Sequence, residues 1–275
     1  MSDKEIIIKS CNQNMDTPIS GNILGGTFSY FSKKNPNLER HNQDSIGLYS
    51  KNDQAILIVA DGIGGHRMGD EASRIATTSI IQSCEKVKAL DINHLYQSII
   101  KANTEIRALN VGAGTTLCLG FIDKNKLTFM STGDSLGIHI SGKGNTKSQT
   151  IDHSSAGLAK LSGLFKESEI EKFEGGNQLA YALGDEKVEL SISGPIEISQ
   201  RDNILISSDG LTANVNPEKI SQVITTGPVN DRVLRLSEMA IQEFNSPSGH
   251  PDDLSIILLS FGRSDSTETT EEVEK

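Results

Sequence analysis

The stretch Asp61-Gly62-Ile63-Gly64-Gly65-His66 constrains the fold more than any other part of the chain. It follows the apolar run AILIVA at 55–60, which is typical of a short buried strand. Unpartnered burial of Asp61 would cost several kcal/mol, so this carboxylate is expected at the end of the strand. The glycines let the next loop turn tightly, and such a loop can offer a carboxylate and a main-chain carbonyl to a hard cation. An ordinary Asp-Gly turn would explain the same residues, so other parts of the chain must decide.

Composition narrows the class of protein. The 275 residues are 36% hydrophobic and 23% charged, which favours a folded globular chain over a disordered one, and the length fits one domain. The net charge of -10 argues against nucleic acid or an anionic membrane as the main partner. It is compatible with a cluster of carboxylates that requires divalent cations.

The cysteines and the apolar runs indicate an intracellular protein. Cys11, Cys84 and Cys118 are odd in number and far apart, so they indicate neither a disulfide framework nor a zinc site. No run approaches the ~20 apolar residues of a membrane span, and residues 1–10 lack a signal-peptide pattern. We therefore expect a reducing, cytoplasmic setting.

Hydrophobic periodicity predicts strands grouped together and helices pooled elsewhere. Asp91 is the expected N-cap of one helix, Asn216-Pro217 opens a short helix, and Asp231 is the expected cap of another. Residues 142–150 are predicted as a loop, and 151–182 as an irregular insertion. The predicted helices are 69–88, 92–109 and 231–244, and the predicted strands are 23–31, 44–49, 54–60, 115–122, 126–132, 136–141, 195–199, 203–208 and 254–261. The absence of regular strand-helix alternation favours an α+β fold with antiparallel sheets.

Further carboxylates occur where a predicted strand meets a turn. Each alone is best explained as a turn former, but two apolar strands both end in Asp-Gly, at Asp61 and Asp209. If these strand ends meet, the carboxylates would repel one another unless a cation lies between them. Oxygen ligands without His or Cys favour magnesium or manganese, and two such ions ~3.5–4 Å apart generate a hydroxide nucleophile. The other strand-end carboxylates are Asp44, Asp134 and Asp252.

These residues belong to a longer ordered series of motifs, which together are far more specific than one Asp-Gly. The series is Arg40-His41-Asn42-Gln43-Asp44, Asp61 to His66 with Gly69 to Ser73, Gly114-Thr115-Thr116, Gly133-Asp134-Ser135, Asp152-His153-Ser154, Ala182-Leu183-Gly184, Ser208-Asp209-Gly210-Leu211 and Asp252-Asp253-Leu254-Ser255. It resembles the metal-dependent type 2C (PPM) Ser/Thr protein phosphatases in their bacterial form, over about residues 22–262.

The resemblance implies a fold and a ligand set. The fold would be a sandwich of two antiparallel β-sheets flanked by α-helices, with 1–21 as an N-terminal arm, 22–262 as the phosphatase domain, 151–182 as a mobile flap and 263–275 as a disordered acidic tail. Two Mg or Mn ions are implied, with a third in bacterial members. Asp61 would bridge the first two ions, the Gly62 carbonyl would bind the second, and Asp44 would act at the pair, partly through water. Asp209 and Asp252 would complete the first ion's shell, and Asp134 with Asp209 would hold the third.

Several positions depart from the family pattern. Gln43 replaces a Glu, and the phosphate-binding Arg is expected one residue earlier, where Glu39 stands, so Arg40 is the candidate. Leu136 replaces the Arg after Gly-Asp-Ser, and Ile63 replaces the His that some relatives use as an acid. For His66 we favour a structural role.

The resemblance implies hydrolysis of phosphoserine and phosphothreonine in proteins by a metal-bridging hydroxide, with Asp44, Asp61 and Asp209 as catalytic residues. The expected partner is a phosphorylated protein, the substrate of a Ser/Thr kinase, and the chain is expected to be a monomer. Two alternatives stay open: a pseudophosphatase that serves as a regulatory binding module, and a phosphatase for small phosphoesters. The displaced Arg40 and the missing Arg at position 136 favour the first alternative, whereas retention of the carboxylates opposes it.

Overall fold

A computed structural model describes residues 5–63, 68–170 and 175–262 of the chain. The predicted tail at 263–275 and His66 lie outside the described residues. None of the described helices has both the length and the apolar character required to cross a lipid bilayer.

The described strands and helices alternate only irregularly along the chain. The strands are β1 (Ile6–Cys11), β2 (Ile19–Ile23), β3 (Gly26–Lys33), β4 (Asp44–Lys51), β5 (Gln54–Asp61), β6 (Leu117–Asp123), β7 (Lys126–Thr132), β8 (Leu136–Ile140), β9 (Thr146–Gln149), β10 (Ser191–Glu197), β11 (Asn203–Ser207) and β12 (Leu254–Ser260). The helices are α1 (Gly69–Cys84), α2 (Ile92–Arg107), α3 (Ser155–Ser162), α4 (Glu167–Ile170), α5 (Asp209–Thr212), α6 (Pro217–Val223) and α7 (Val229–Glu243).

The strands form two six-stranded sheets that pack face to face. The first has the order β1-β4-β5-β6-β7-β10 and the second β2-β3-β12-β11-β8-β9, with antiparallel pairing between the neighbours. Side chains of a strand alternate between the two faces of its sheet. In β5, Ile56 and Ile58 therefore join the core beneath α1 and α2, whereas Leu57 and Val59 join the core between the sheets. A third apolar cluster lies between the second sheet and α5–α7. The predicted α+β sandwich is confirmed.

Local differences from the predicted elements arise at turns and edges. Asp91 does cap α2, since its carboxylate accepts a hydrogen bond from the His94 N–H at 2.8 Å. The prediction of Asp231 as a cap is wrong, because α7 already begins at Val229 and Asp231 lies in its first turn. The predicted strand 23–31 covers the end of β2, a turn at Leu24-Gly25 and most of β3. The predicted loop 142–150 contains the edge strand β9.

The predicted N-terminal arm contributes to both sheets. β1 forms the outer edge of the first sheet by pairing with β4, and β2 forms the outer edge of the second by pairing with β3. The division of the chain into arm, phosphatase domain, flap and tail stays a prediction.

Candidate metal centre

Two of the predicted carboxylates lie opposite each other on neighbouring strands of the first sheet. Asp44, the first residue of β4, pairs in antiparallel register with Asp61, the last residue of β5. Asp44 is fully buried, and its Oδ2 accepts a hydrogen bond from the Ser208 hydroxyl at 2.7 Å. Its Oδ1 is buried and has no hydrogen-bond partner among the described residues. A buried carboxylate oxygen without a partner is costly, so Asp44 keeps an acceptor that a cation could satisfy.

The backbone around Asp61 is fixed on both sides. The Asp61 N–H donates to the Thr116 Oγ1 at 3.0 Å, and the Thr116 N–H donates to the Asp61 carbonyl at 2.8 Å. The next N–H, that of Gly62, donates to the Gln43 carbonyl at 3.1 Å. A Cβ at Gly62 would collide with the carbonyl oxygen of Gly69, so only glycine allows the start of α1 to approach this closely. The Asp-Gly pair is therefore a packed junction rather than a simple surface turn.

The other predicted carboxylates reach the same region from different elements. Asp209 is the first residue of α5, directly after β11; Asp252 precedes β12; and Asp134 lies in the turn between β7 and β8. The Oδ1 of Asp209 is also buried without a hydrogen-bond partner in the described part of the chain. The charges of Asp44, Asp134, Asp209 and Asp252 all act on the Asp61 carboxyl, so the structure brings together the five aspartates that the sequence predicted.

Burial and mutual repulsion change the proton affinity of this cluster. Burial, followed by the neighbouring carboxylates, raises the pKa values of Asp44 and Asp61 well above the ordinary range. Burial and the charge of Asp209 raise the pKa of Asp134 to about 8 and that of Asp252 to about 6. Burial also raises the pKa of Asp209. Without cations the cluster therefore retains protons at pH values where isolated aspartates are ionised.

The cluster fits divalent cations in its chemistry. Within 5–63, 68–170 and 175–262, no group of three or more His, Cys, Asp or Glu side chains is arranged so that it could hold a metal ion. The fit instead follows from the two unpartnered buried oxygens and from the repulsion among the carboxylates. Because the donors are all oxygens, magnesium or manganese suits them better than zinc.

Asp253, to which the sequence patterns assign no role, organises one side of the cluster. Its buried carboxylate accepts hydrogen bonds from the N–H groups of Asn35 at 2.6 Å and Gln43 at 2.8 Å. It also forms a close ion pair with Nη1 of Arg40. The Nη2 of Arg40 lies 3.5 Å from Oδ1 of Asp252, so the guanidinium borders the cluster. The only sequence signal for this arrangement was the Asp-Asp dipeptide before β12.

His153 links the Asp134 turn to the segment predicted as a flap. The Gly133 N–H donates to Nδ1 of His153 at 3.3 Å, and the His153 N–H donates to the Gly133 carbonyl at 3.1 Å. Its Nε2 pairs with the Ser191 hydroxyl at 2.8 Å, and its ring packs edge-on against Tyr181. Burial lowers the pKa of His153, so the neutral imidazole that accepts from Gly133 is favoured. His153 thereby fixes the backbone next to Asp134.

The departures from the motif pattern have separate locations. Leu136 begins β8 directly beyond the Asp134 turn and is only partly buried. The Ile63 N–H donates to the Gly114 carbonyl at 3.0 Å, which joins the loop after Asp61 to the motif before β6. Asp152, which the sequence placed only in a motif, contributes a charge that raises the pKa values of Asp134 and Asp209.

Comparisons with known proteins identify relatives of the chain and of its fold. The sequence profile of the family "Protein phosphatase 2C" matches residues 37–228. The chain is 29% identical over 237 residues to the Listeria welshimeri serine/threonine phosphatase stp, covering 81% of this chain and 91% of that protein. Its fold resembles the Mycobacterium tuberculosis serine/threonine phosphatase PstP/Ppp, with a TM-score of 0.72, 24% identity, and coverage of 86% of this chain and 98% of that one. It also resembles the catalytic domain of the serine threonine protein phosphatase PstP in complex with two manganese ions, with a TM-score of 0.70, 24% identity, and coverage of 85% and 96%.

Proposed function

Because the chain belongs to the protein phosphatase 2C family, we propose that it hydrolyses phosphoserine and phosphothreonine in proteins in a metal-dependent reaction. The observation that carries the proposal is the cluster of five aspartates at the strand ends, in which Asp44 and Asp209 each keep a buried oxygen without a hydrogen-bond partner among the described residues. Without a cation, repulsion among these buried carboxylates destabilises this part of the protein, and a bound cation would neutralise them. The relative in Listeria welshimeri is named a serine/threonine phosphatase.

We propose magnesium or manganese as the metal, with two ions in the main site. Asp44, Asp61, Asp209, Asp252 and the Gly62 carbonyl would hold these two, and Asp134 with Asp209 would hold a third. When bound, such ions acidify water to supply the nucleophile and neutralise the charge that develops on the phosphoryl oxygens. The carboxylates of this chain would orient the ions and would give up their bound protons on binding them.

The remaining groups of the site have supporting roles. Arg40 borders the cluster with its guanidinium held by Asp253 and Asp252, and a guanidinium suits the planar contact with two phosphate oxygens. We assign to it the binding of the substrate phosphate. The buried thiols of Cys84 and Cys118 have raised pKa values and stay protonated, so they are poor nucleophiles. Hydrolysis then needs no covalent phosphoenzyme: the water oxygen bonds to phosphorus, the bond from phosphorus to the Ser or Thr oxygen breaks, and that oxygen leaves as a hydroxyl with the proton that the water gives up.

We also propose a cytoplasmic setting, a substrate class and an oligomeric state. The three cysteines are free thiols, as suits a reducing cytoplasm. The expected substrate is a protein phosphorylated by a Ser/Thr kinase, and the expected oligomeric state is a monomer. The net charge of -10 gives no support to nucleic acid as a partner.

The decisive experiment is hydrolysis of a phosphothreonine peptide with millimolar manganese, with magnesium, and after EDTA treatment. We expect turnover with either metal and none in EDTA, and restoration by added metal. The Asp61→Asn variant serves as the inactive control, and the exposed Asp53→Asn variant as the matched active control. Full activity in EDTA would refute a metal-dependent reaction. No turnover under any condition, with metal binding retained, would favour the pseudophosphatase, and turnover restricted to p-nitrophenyl phosphate would favour small phosphoesters.

A further inference from the structure

A small cavity adjoins the metal centre on the side of the second sheet. It has a volume of about 130 Å³, and Asp134 and Asp152 are among the residues that line it. Its walls include Leu136 and Ile138 of β8 and Ile220 of α6. Asp134 is thus shared between the carboxylate cluster and the cavity, and a ligand in the cavity would lie beside a phosphate held at the cluster.

The hydroxyl groups in the cavity wall are already engaged by the protein. The Thr150 Oγ1 accepts from the Gly137 N–H at 2.9 Å and donates to the Ser135 carbonyl at 3.4 Å. The Thr212 hydroxyl donates to the Asp209 carbonyl at 3.4 Å. These groups need no hydrogen bond from a ligand. The rest of the wall consists of four aliphatic residues, the two aspartates and the amide of Gln149, which is exposed to solvent; the aliphatic residues are Leu136, Ile138, Pro217 and Ile220. A polar ligand would lose its hydration without adequate replacement, so the cavity suits an apolar group.

The size and charge of the cavity restrict the occupant further. Its volume of about 130 Å³ is close to that of an engineered apolar cavity of about 150 Å³ that accepts a benzene-sized group. One side chain of the size of Leu, Ile or Met therefore fills it. The carboxylates of Asp134 and Asp152 in the wall disfavour an acidic side chain.

Leu136 in the cavity wall is one of the departures from the family pattern. The resemblance noted in the sequence predicts an arginine at this position, and an arginine would place a charge in the wall. With leucine the wall continues from Leu136 through Ile138 without a charge. Leucine in place of the expected arginine at position 136 therefore leaves this part of the cavity wall apolar.

We propose that this cavity receives the aliphatic side chain of a residue that flanks the phosphorylated residue of the substrate, an inference that rests on the proposed function. The occupant is a Leu-, Ile- or Met-sized side chain of a phosphoprotein. An extended peptide advances about 3.3 Å per residue, so the residue lies within about three positions of the phosphoresidue. The enzyme thereby selects among phosphoproteins by an apolar neighbour of the phosphate.

The test uses a phosphothreonine peptide in which each of the three positions on either side is changed in turn to Leu, Ala, Asn or Asp. At one position we expect kcat/KM to be about tenfold higher for Leu than for Ala, as for a small apolar pocket. Asn, which has nearly the shape of Leu, and Asp should do no better than Ala. All assays contain the same millimolar manganese concentration.

Two variants connect the preference to the cavity. Leu136→Asn puts an amide in the wall, so the Leu-over-Ala ratio should fall to about twofold or less. Leu136→Phe fills the cavity, so the ratio should fall and can favour Ala. Both variants change a partly buried side chain. Circular dichroism melts should therefore be recorded first to check that each variant folds. The matched control is Leu161→Asn, because Leu161 is 62% exposed on α3 and belongs to a different apolar surface.

The outcomes separate this inference from the proposed function. If no peptide is hydrolysed with manganese, the proposed function itself fails. If all peptides are hydrolysed at similar rates, or if both Leu136 variants keep the full preference, the cavity does not recognise the substrate. Loss of the preference in Leu161→Asn alone would assign recognition to the surface of α3 and overturn the inference.

Discussion

The aspartate cluster makes the stability of the metal-free protein depend on pH in an unusual direction. Burial and the charge of Asp209 raise the pKa of Asp134 to about 8 in the folded state, whereas an unfolded aspartate titrates near about 3.9. A raised pKa means that the folded state binds the proton more tightly. Its stabilising contribution is therefore fully present below the unfolded pKa and is lost as the pH rises through the folded pKa.

The magnitude follows from the width of this interval. Each pH unit between the two pKa values removes about 1.4 kcal/mol per group, so Asp134 alone accounts for about 4 kcal/mol between about pH 5 and about pH 8. Asp252 contributes in the same direction up to about pH 6. It adds less, because its side chain is 45% exposed and water screens its charge. For a domain of this size, a loss of about 4 kcal/mol lowers Tm by about 10 °C.

Thermal melts of the EDTA-treated protein between about pH 5 and about pH 8 measure this effect. We expect Tm to fall across the interval. The Asp134→Asn variant should have a shallower slope but keep part of it, because Asp44, Asp61, Asp209 and Asp252 also have raised pKa values. The exposed Asp53→Asn control should keep the full slope. Millimolar manganese should cancel the slope, because a cation stabilises the ionised carboxylates and binds only the folded protein. A Tm in EDTA that rises from pH 5 to pH 8, or a slope unchanged in Asp134→Asn, would refute the reasoning.

Four further substitutions, two of them compared as a pair, test separate parts of the centre. Arg40→Ala should raise KM on a phosphopeptide more than it lowers kcat. It should also lower the free energy of unfolding, measured in denaturant, by about 2–3 kcal/mol, because buried Asp253 loses its ion pair. Unchanged kinetics would show that Arg40 does not bind the phosphate. Asp61→Asn and Asp209→Asn should each abolish turnover. Each should also raise the Tm of the metal-free protein, because it removes one of the carboxylates that repel one another. Near-normal turnover in both variants would show that the active site lies elsewhere. Gly133→Ala should lower the stability by about 2 kcal/mol or more and should lower the manganese affinity measured by calorimetry. The reason is that Gly133 has φ +90° and that an added Cβ would lie 2.7 Å from the Thr116 Cβ. Wild-type manganese affinity in this variant would show that the turn does not position Asp134.

The sequence was sufficient where a local pattern and a global requirement coincide. The continuous apolar run of β5 predicts a strand buried on both faces, and the two sides of that strand do join different cores. A carboxylate cannot continue such a strand into the core, so Asp61 and Asp209 had to stand at strand ends. Two sheets packed face to face then bring these ends together.

The sequence was insufficient where the chain's environment, rather than its local pattern, decides. Residues 146–149 are polar and lie in a stretch rich in Gly, Ser and Lys, yet they form β9 because β8 offers an unpaired edge. Asp231 looks like a cap because Asp favours that position, but the helix starts at Val229, where the chain leaves Pro228. The same limit explains why no periodicity could reveal the cavity beside Asp134, since its walls come from β8, β9 and α6.

Arg40 shows how position in sequence and position in space can differ at a functional site. Counted along the chain, Arg40 is displaced by one residue from the expected phosphate-binding position, and on a strand that shift would turn it to the opposite face. Arg40 instead precedes β4 in irregular backbone, where the N–H groups of Asn35 and Gln43 are both bound by the Asp253 carboxylate. That carboxylate also holds the guanidinium, so the loop is folded around the same group that orients the arginine. Spacing along the chain then matters less than the contact with Asp253, which precedes β12 of the second sheet. This contact holds Arg40 beside the aspartate cluster, and phosphate binding by Arg40 stays a proposal.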